Sequence, residues 1–198
     1  ASASLVAMED ALPPDCARRF RHAKLLASGG FGAVHLAQQI GLERPVAIKV
    51  LLSRTLGDPE QVRRFLNEAR ITARLSHPRI VGVIEMGAET LPWIAYEYIA
   101  GPTLRDLLGA RPFTAREALG AVLQVAEALD FAHRHEVLHR DVKPENVLQA
   151  TEGHYKVADF GIARERGQDE VHTKTGVILG TPAYIAPEQI VGEPVSAS

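Results

Sequence analysis

The chain has almost no cysteine. Cys16 stands alone among 198 residues, which excludes an internal disulfide framework and any zinc cluster built on several thiolates. Charge of either sign is not in excess. The 22 Lys and Arg residues face 24 Asp and Glu residues, a formal net charge of −2, so neither a basic nucleic-acid surface nor an acidic tail is expected. Long apolar runs are missing as well: none reaches the length of a membrane span, and the N-terminus has no basic region followed by an apolar stretch. These absences point to a soluble, cytoplasmic chain with no nucleic-acid partner and no membrane segment. Lysine is scarce, 5 against 17 arginines, so a lysine in apolar surroundings stands out. What remains is an ordinary globular balance, 46% hydrophobic and 23% charged, and the length suits one domain or two small lobes with a real core.

Residues 1–18 are rich in Ala, Ser and Pro without a sustained period and read as a loose leader. From Lys24 to Val50 the pattern is β. Leu25-Leu26 and Val34-His35-Leu36-Ala37 flank the turn Ser28-Gly29-Gly30-Phe31-Gly32, and Pro45–Leu51 is a short apolar run fit for a strand. Asp58 is a candidate helix N-cap, with Pro59 at the first helical position and Gln61 three residues after the cap. Val62, Phe65, Leu66 and Ala69 follow at helical spacing, and Pro78 marks the end. Ile80–Ile84 and Leu91–Ile99 read as two further strands. Gly101-Pro102 marks a joint, after which the chain turns helical: Thr103–Leu108 is a short helix, and Thr114 with Glu117 forms a capping box ahead of Leu119, Val122, Val125, Ala126 and Leu129. Asn146–Gln149 and Tyr155–Ala158 are short strand-like pieces, and a polar stretch over Ile162–Thr175 leads to Ala186-Pro187-Glu188.

Four segments concentrate chemistry. The hairpin carrying Gly29, Gly30 and Gly32 could bring backbone N–H groups close to an anion, although such a turn alone is more often just a hairpin, and it precedes a strand rather than a helix. Lys49 interrupts the apolar strand Val46–Val50; a strand lysine usually faces solvent, and Glu68 on the next helix is a candidate ion partner. The run His139-Arg140-Asp141-Val142-Lys143-Pro144-Glu145-Asn146 packs an acid, an imidazole, two cations and an amide into eight residues. Loops of this composition are usually exposed connections, but a folded-back loop would let Asp141 accept a proton and Asn146 offer an oxygen to a hard divalent cation. Asp159-Phe160-Gly161, at a strand end, is either a simple turn or a second carboxylate for magnesium.

In this order the segments are not independent. Glycine-rich hairpin, strand Lys, helix Glu, H-R-D-x-K-P-x-N, D-F-G and A-P-E together resemble the eukaryotic-type (Hanks-type) Ser/Thr protein kinase family, whose signature set and mechanics are general knowledge of the fold. The resemblance covers roughly Arg19 to Gly192. The Thr173-Lys174-Thr175 pattern is similar to that of bacterial members.

The resemblance implies an α+β, bilobal kinase-like fold, with residues 19–99 as a β-rich N-lobe carrying one helix and the hinge, and residues 100–198 as a partial helical C-lobe through the activation segment. It implies ATP and Mg2+ as cofactors and protein substrates as partners. Gly29, Gly30 and Gly32 would cover the ATP phosphates; Val34, Ala47 and Leu148 would pack on the adenine. Glu97-Tyr98-Ile99 would be the hinge, with Glu97 and Ile99 giving backbone hydrogen bonds and Tyr96 at the gatekeeper position. Lys49 would hold the α- and β-phosphates, oriented by Glu68. Asn146 and Asp159 would hold magnesium, Asp141 would accept the substrate hydroxyl proton, and Lys143 would stabilise the transferring phosphoryl group. Thr173 and Thr175 would be phosphosites whose phosphates engage Arg140 and order the segment.

Three departures from the family pattern stand out. Ala27 replaces the first loop glycine, Thr72 takes an apolar spine position one turn after Glu68, and the chain ends ten residues after Glu188, where the family enters the central helix of its C-lobe. The expectation is a C-lobe truncated after the A-P-E motif, so that the 114–134 helix leaves an apolar face uncovered and the fragment is marginal or associates with a second copy. Two alternatives to a Ser/Thr kinase stand beside it: an impaired nucleotide-binding scaffold, and a small-molecule kinase, against which Lys143-Pro144 and the stretch from Gly180 to Glu188 argue.

Overall fold

The computed structural model describes residues 11–29, 32–160, 164–165, 184, 186–188 and 196. The chain divides into two units, residues 1–73 with 82–98, and residues 74–81 with 99–198.

The first unit is a five-stranded antiparallel sheet with one long helix. Its strands are β1 (Phe20–Ser28), β2 (Gly32–Gln39), β3 (Arg44–Leu51), β4 (Val83–Gly87) and β5 (Trp93–Glu97), in the order β1-β2-β3-β5-β4. Strands β2 and β3 pair residue for residue, from Gly32 opposite Leu51 to Gln39 opposite Arg44, while β1 is bulged twice. Side chains alternate across a sheet, so Val46, Ile48 and Val50 point to one face, where they pack with Phe20, Ala37, Trp93 and Ala95. Val34, Ala47, Lys49, Ile94 and Tyr96 fall on the other face. Gly32 is required by packing before any ligand is considered: a Cβ there would lie 2.9 Å from the Val50 carbonyl oxygen.

Residues 12–18 correct the expectation of a loose leader. They form a short helix, α1 (Pro14–Ala17), with Asp15 and Cys16 buried. The Asp15 carboxylate accepts hydrogen bonds from Trp93 Nε1 at 2.7 Å and Thr90 Oγ1 at 3.0 Å. Burial pushes the Asp15 carboxyl upward, but these donors and backbone N–H groups outweigh it and hold the pKa below the ordinary value. Burial, helped by the Asp15 charge, raises the Cys16 thiol to about 12, which leaves it inert as a nucleophile. Composition missed this segment because two buried side chains, not a periodic pattern, fix it.

Helix α2 (Pro59–Ala73) begins as its sequence indicates. Asp58 Oδ1 accepts the Glu60 N–H at 2.9 Å, and Gln61 Nε2 donates to Asp58 Oδ2 at 2.8 Å. Its buried residues are Phe65, Glu68, Ala69, Ile71 and Thr72.

In the second unit, α3 (Leu104–Ala110) and α4 (Ala115–Arg134) each start with a complete capping box, Thr103 with Asp106 and Thr114 with Glu117. Glu117 also bonds the Arg111 guanidinium, which lowers its carboxyl to about 2. Strand β6 (Val137–Leu138) pairs with β9 (Arg164–Glu165), and β7 (Val147–Thr151) pairs with β8 (His154–Val157). Ala121 and Val125 of α4 pack on Val147 and Tyr155. Gln124 ties the helix to the β7–β8 turn, donating to the Gly153 carbonyl at 2.8 Å and accepting the Tyr155 N–H at 2.9 Å. Elsewhere on α4, Leu119, Val122 and Leu123 are 59–69% exposed.

One strand is shifted from its expected place. Ile80 and Val81 do not begin β4. Ile80 bridges to Val157, and the Val81 N–H bonds the Val157 carbonyl at 2.9 Å. An apolar run says that a segment is buried, not which strand it joins. Among the described residues no helix is long and apolar enough to cross a membrane.

Candidate active site

Regular elements build the functional cluster of the first unit. Lys49 sits on β3 opposite Ile94, and Glu68 is 4% exposed on α2. Lys49 Nζ lies 3.0 Å from Glu68 Oε1 and 3.1 Å from Oε2. The Phe65 ring lies 6.0 Å from the same ammonium. The ion pairing read from the sequence is therefore present, and Lys49 turns away from solvent toward the helix. Tyr96 Oη donates to Glu68 Oε1 at 2.7 Å, a contact that sequence reasoning missed; a tyrosine two residues from Ile94 on β5, on the Lys49 face, was the available signal. Val34 and Ala47 share that face and are half-buried. The Gly29 N–H bonds the Gly32 carbonyl at 2.9 Å and closes the hairpin; Gly30 lies outside the described residues. The Glu97 N–H bonds the Gly82 carbonyl at 2.9 Å, and its carboxylate accepts the Gly82 N–H at 2.8 Å.

The cluster of the second unit rests on a loop. His139 is 2% exposed, and its ring stands 4.5 Å from that of Phe160. Its Nε2 lies 3.0 Å from the Ala158 carbonyl, and its Nδ1 accepts the Asp141 N–H at 3.3 Å. Only a neutral ring with the proton on Nε2 satisfies both partners. Burial favours that state, holding the His139 pKa below the usual value against the pull of the Ala158 carbonyl and the nearby carboxylates. Arg140 and Asp159 take left-handed backbone, with φ of 64° and 60°, a conformation that L residues hold only where their surroundings enforce it.

Asp141 is thus fixed from its backbone. Its Oδ2 lies 2.7 Å from Lys143 Nζ, and Asn146 Nδ2 donates to the Asp141 carbonyl at 2.9 Å and to Oδ2 at 3.2 Å. With its amide nitrogen so committed, Asn146 has its side-chain oxygen as the acceptor end. The Ala158 N–H bonds the Asn146 carbonyl at 2.8 Å, so Asp159 follows directly on a residue tied to Asn146. An amide oxygen and a carboxylate are the hard donors that suit magnesium. Leu148 on β7 is half-buried and bridges to Thr103; Ile99 is half-buried. Thr173 and Thr175 lie outside the described residues.

The protein kinase domain family model matches residues 20–198, and the chain belongs to that family, in its Hanks-type bacterial Ser/Thr branch. It is 41% identical over 191 residues to the serine/threonine-protein kinase PknB of Mycobacterium leprae, covering 93% of this chain and 31% of that protein. It is 45% identical over 167 residues to the serine/threonine-protein kinase PknL of Mycobacterium tuberculosis, covering 83% of this chain and 42% of that protein. The chain thus spans about a third of the length of the PknB relative.

Proposed function

We propose that the chain carries the ATP-binding and phosphotransfer residues of a Ser/Thr protein kinase, acting on protein hydroxyls and controlled by phosphorylation at Thr173 and Thr175. The observation that carries this reading is the Asp141, Lys143 and Asn146 cluster, a carboxylate held by an ammonium and an amide. Asp141 takes the proton of the substrate hydroxyl as its oxygen bonds the γ-phosphorus, while the bond from that phosphorus to the β–γ bridging oxygen breaks and ADP leaves. Lys143 offsets charge on the transferring group. Such a loose transition state needs positioning and charge neutralisation rather than covalent chemistry. Lys49, oriented by Glu68, would hold the α- and β-phosphates; Gly29, Gly30 and Gly32 would cover the phosphates; Val34, Ala47 and Leu148 would pack on the adenine, and the backbone of Glu97 and Ile99 would read its edge. Asn146 and Asp159 would hold magnesium, which supplies neutralisation of the phosphate charge.

The test is Asp141→Asn, read by transfer of radiolabelled phosphate and, separately, by Mg-ATP binding. Loss of transfer with binding retained is expected. Unchanged transfer overturns the role of Asp141. A wild-type chain that binds Mg-ATP and transfers nothing, even onto Thr173 or Thr175, would instead make it a nucleotide-binding scaffold.

A further inference from the structure

We propose that Tyr96 is a positioning residue, whose hydroxyl locks the Glu68 carboxylate in the orientation that pairs with Lys49. The proposal rests on the kinase reading only for its effect on turnover; the lock itself is a property of the first unit.

The geometry starts from the strand register. Ala47 stands opposite Tyr96 and Lys49 opposite Ile94, so Tyr96 and Lys49 are diagonal neighbours on one sheet face, within reach of long side chains. Glu68 meets that face from α2. Among its contacts, Oε1 accepts from Lys49 Nζ at 3.0 Å and from Tyr96 Oη at 2.7 Å, while Oε2 accepts from Lys49 at 3.1 Å. Tyr96 is 9% exposed and Glu68 4%, so the contact is shielded from water, where hydrogen bonds to a charged group are strong.

A lysine and a carboxylate alone define a distance but leave the carboxylate free to turn about its last torsions, because an ammonium is a point charge without a fixed donor plane. A phenol on a strand is different. Its ring is set by packing, and its hydroxyl gives Glu68 an attachment point besides the lysine. Helix α2 has reason to need it. The buried position one turn after Glu68 is Thr72, 2% exposed, whose hydroxyl finds no hydrogen-bond partner among the described residues. An unpaired buried hydroxyl weakens the seating of this turn, and the Tyr96 bond one turn earlier attaches the same helix face to the sheet.

The variant is Tyr96→Phe, which keeps the ring and removes only the donor. Two measurements on the full chain decide. In the first, the Glu68 carboxyl is titrated by 13C NMR, assigned with Glu68→Gln. Loss of a hydrogen bond to the charged form should raise its midpoint by about one pH unit; an unmoved midpoint overturns the proposal whether or not the chain is a kinase. In the second, kcat/KM for ATP should fall roughly ten-fold at neutral pH, with its acidic limb moved upward. On the Glu68→Gln background the same substitution should have little further effect. An undiminished ten-fold loss on that background would show that the hydroxyl acts by general packing and would overturn the assignment. A wild-type chain without transfer, alongside a shifted Glu68 midpoint, would sink the kinase reading and leave the lock standing.

Discussion

The two functional clusters are built in different ways. In the first unit, each polar group stands on a regular element: Lys49 on β3, Glu68 on α2, Tyr96 on β5. Their positions follow from strand register and helix packing, and the ion pair is laid across a framework that would exist without it. In the second unit, Asp141 and Lys143 stand on a loop and Asn146 on the single 3-10 turn that follows it, a segment that short-range hydrogen bonds, a buried imidazole and the left-handed Arg140 hold in shape. There the functional groups are themselves the framework. A substitution in the first cluster should therefore separate function from stability, and one in the second should damage both.

The sharpest way to break this contrast is a matched pair of substitutions. Asn146→Ala should lower phosphotransfer by about a thousandfold, by analogy with loss of one oriented donor, and should also lower unfolding stability by roughly 1–3 kcal/mol because the Asp141 carbonyl loses its partner. Lys49→Arg, which keeps a cation beside the buried Glu68, should cost transfer comparably by misplacing the charge that meets the phosphates, while denaturant midpoints move much less. Equal stability losses in the two variants would erase the distinction.

Next in size is Asp15→Ala, which strips the acceptor from the buried Trp93 N–H. Chemical denaturation should show a loss of about 2 kcal/mol, with transfer unchanged at a temperature where the variant stays folded.

The loop of the second unit should also answer to acid through His139. Its pKa lies below 6.5 in the folded chain, so between that lowered value and 6.5 the unfolded chain binds the extra proton. Stability should fall as pH drops below about 6.5, with a slope of at most about 1.4 kcal/mol per pH unit from this group. His139→Gln should flatten that part of the curve, and an unaltered slope would show that another group carries it. Smallest is Thr72→Val, an isosteric removal of the unpartnered hydroxyl, expected to raise stability by about 1 kcal/mol, read as a higher melting temperature.

How legible this was depended on the kind of signal. The caps at Asp58, Thr103 and Thr114 leave a local mark in the chain, and their helices begin where that mark lies. The Lys49–Glu68 pair was readable only through the family resemblance, since a strand lysine by itself usually faces solvent. The attachment of residues 12–18 was not, since Asp15 and Trp93 are 78 positions apart and no periodicity links them. Nor was the partner of Ile80 and Val81, because burial is written locally and strand choice is not. The same limit hid the bond between Tyr96 and Glu68, because only strand register and helix seating bring the two side chains together.

The Asp15 attachment has a practical consequence. Trp93 is the chain's single tryptophan, and its indole N–H ends on that carboxylate, three residues before Tyr96 on the same strand. Tryptophan emission from the protein therefore comes from one lamp, set at the joint between helix α1 and the sheet of the first unit. Red-shifted emission and easier quenching would report that joint opening, and following them while nucleotide is added would show, without any label, whether an occupied site tightens the far side of the sheet.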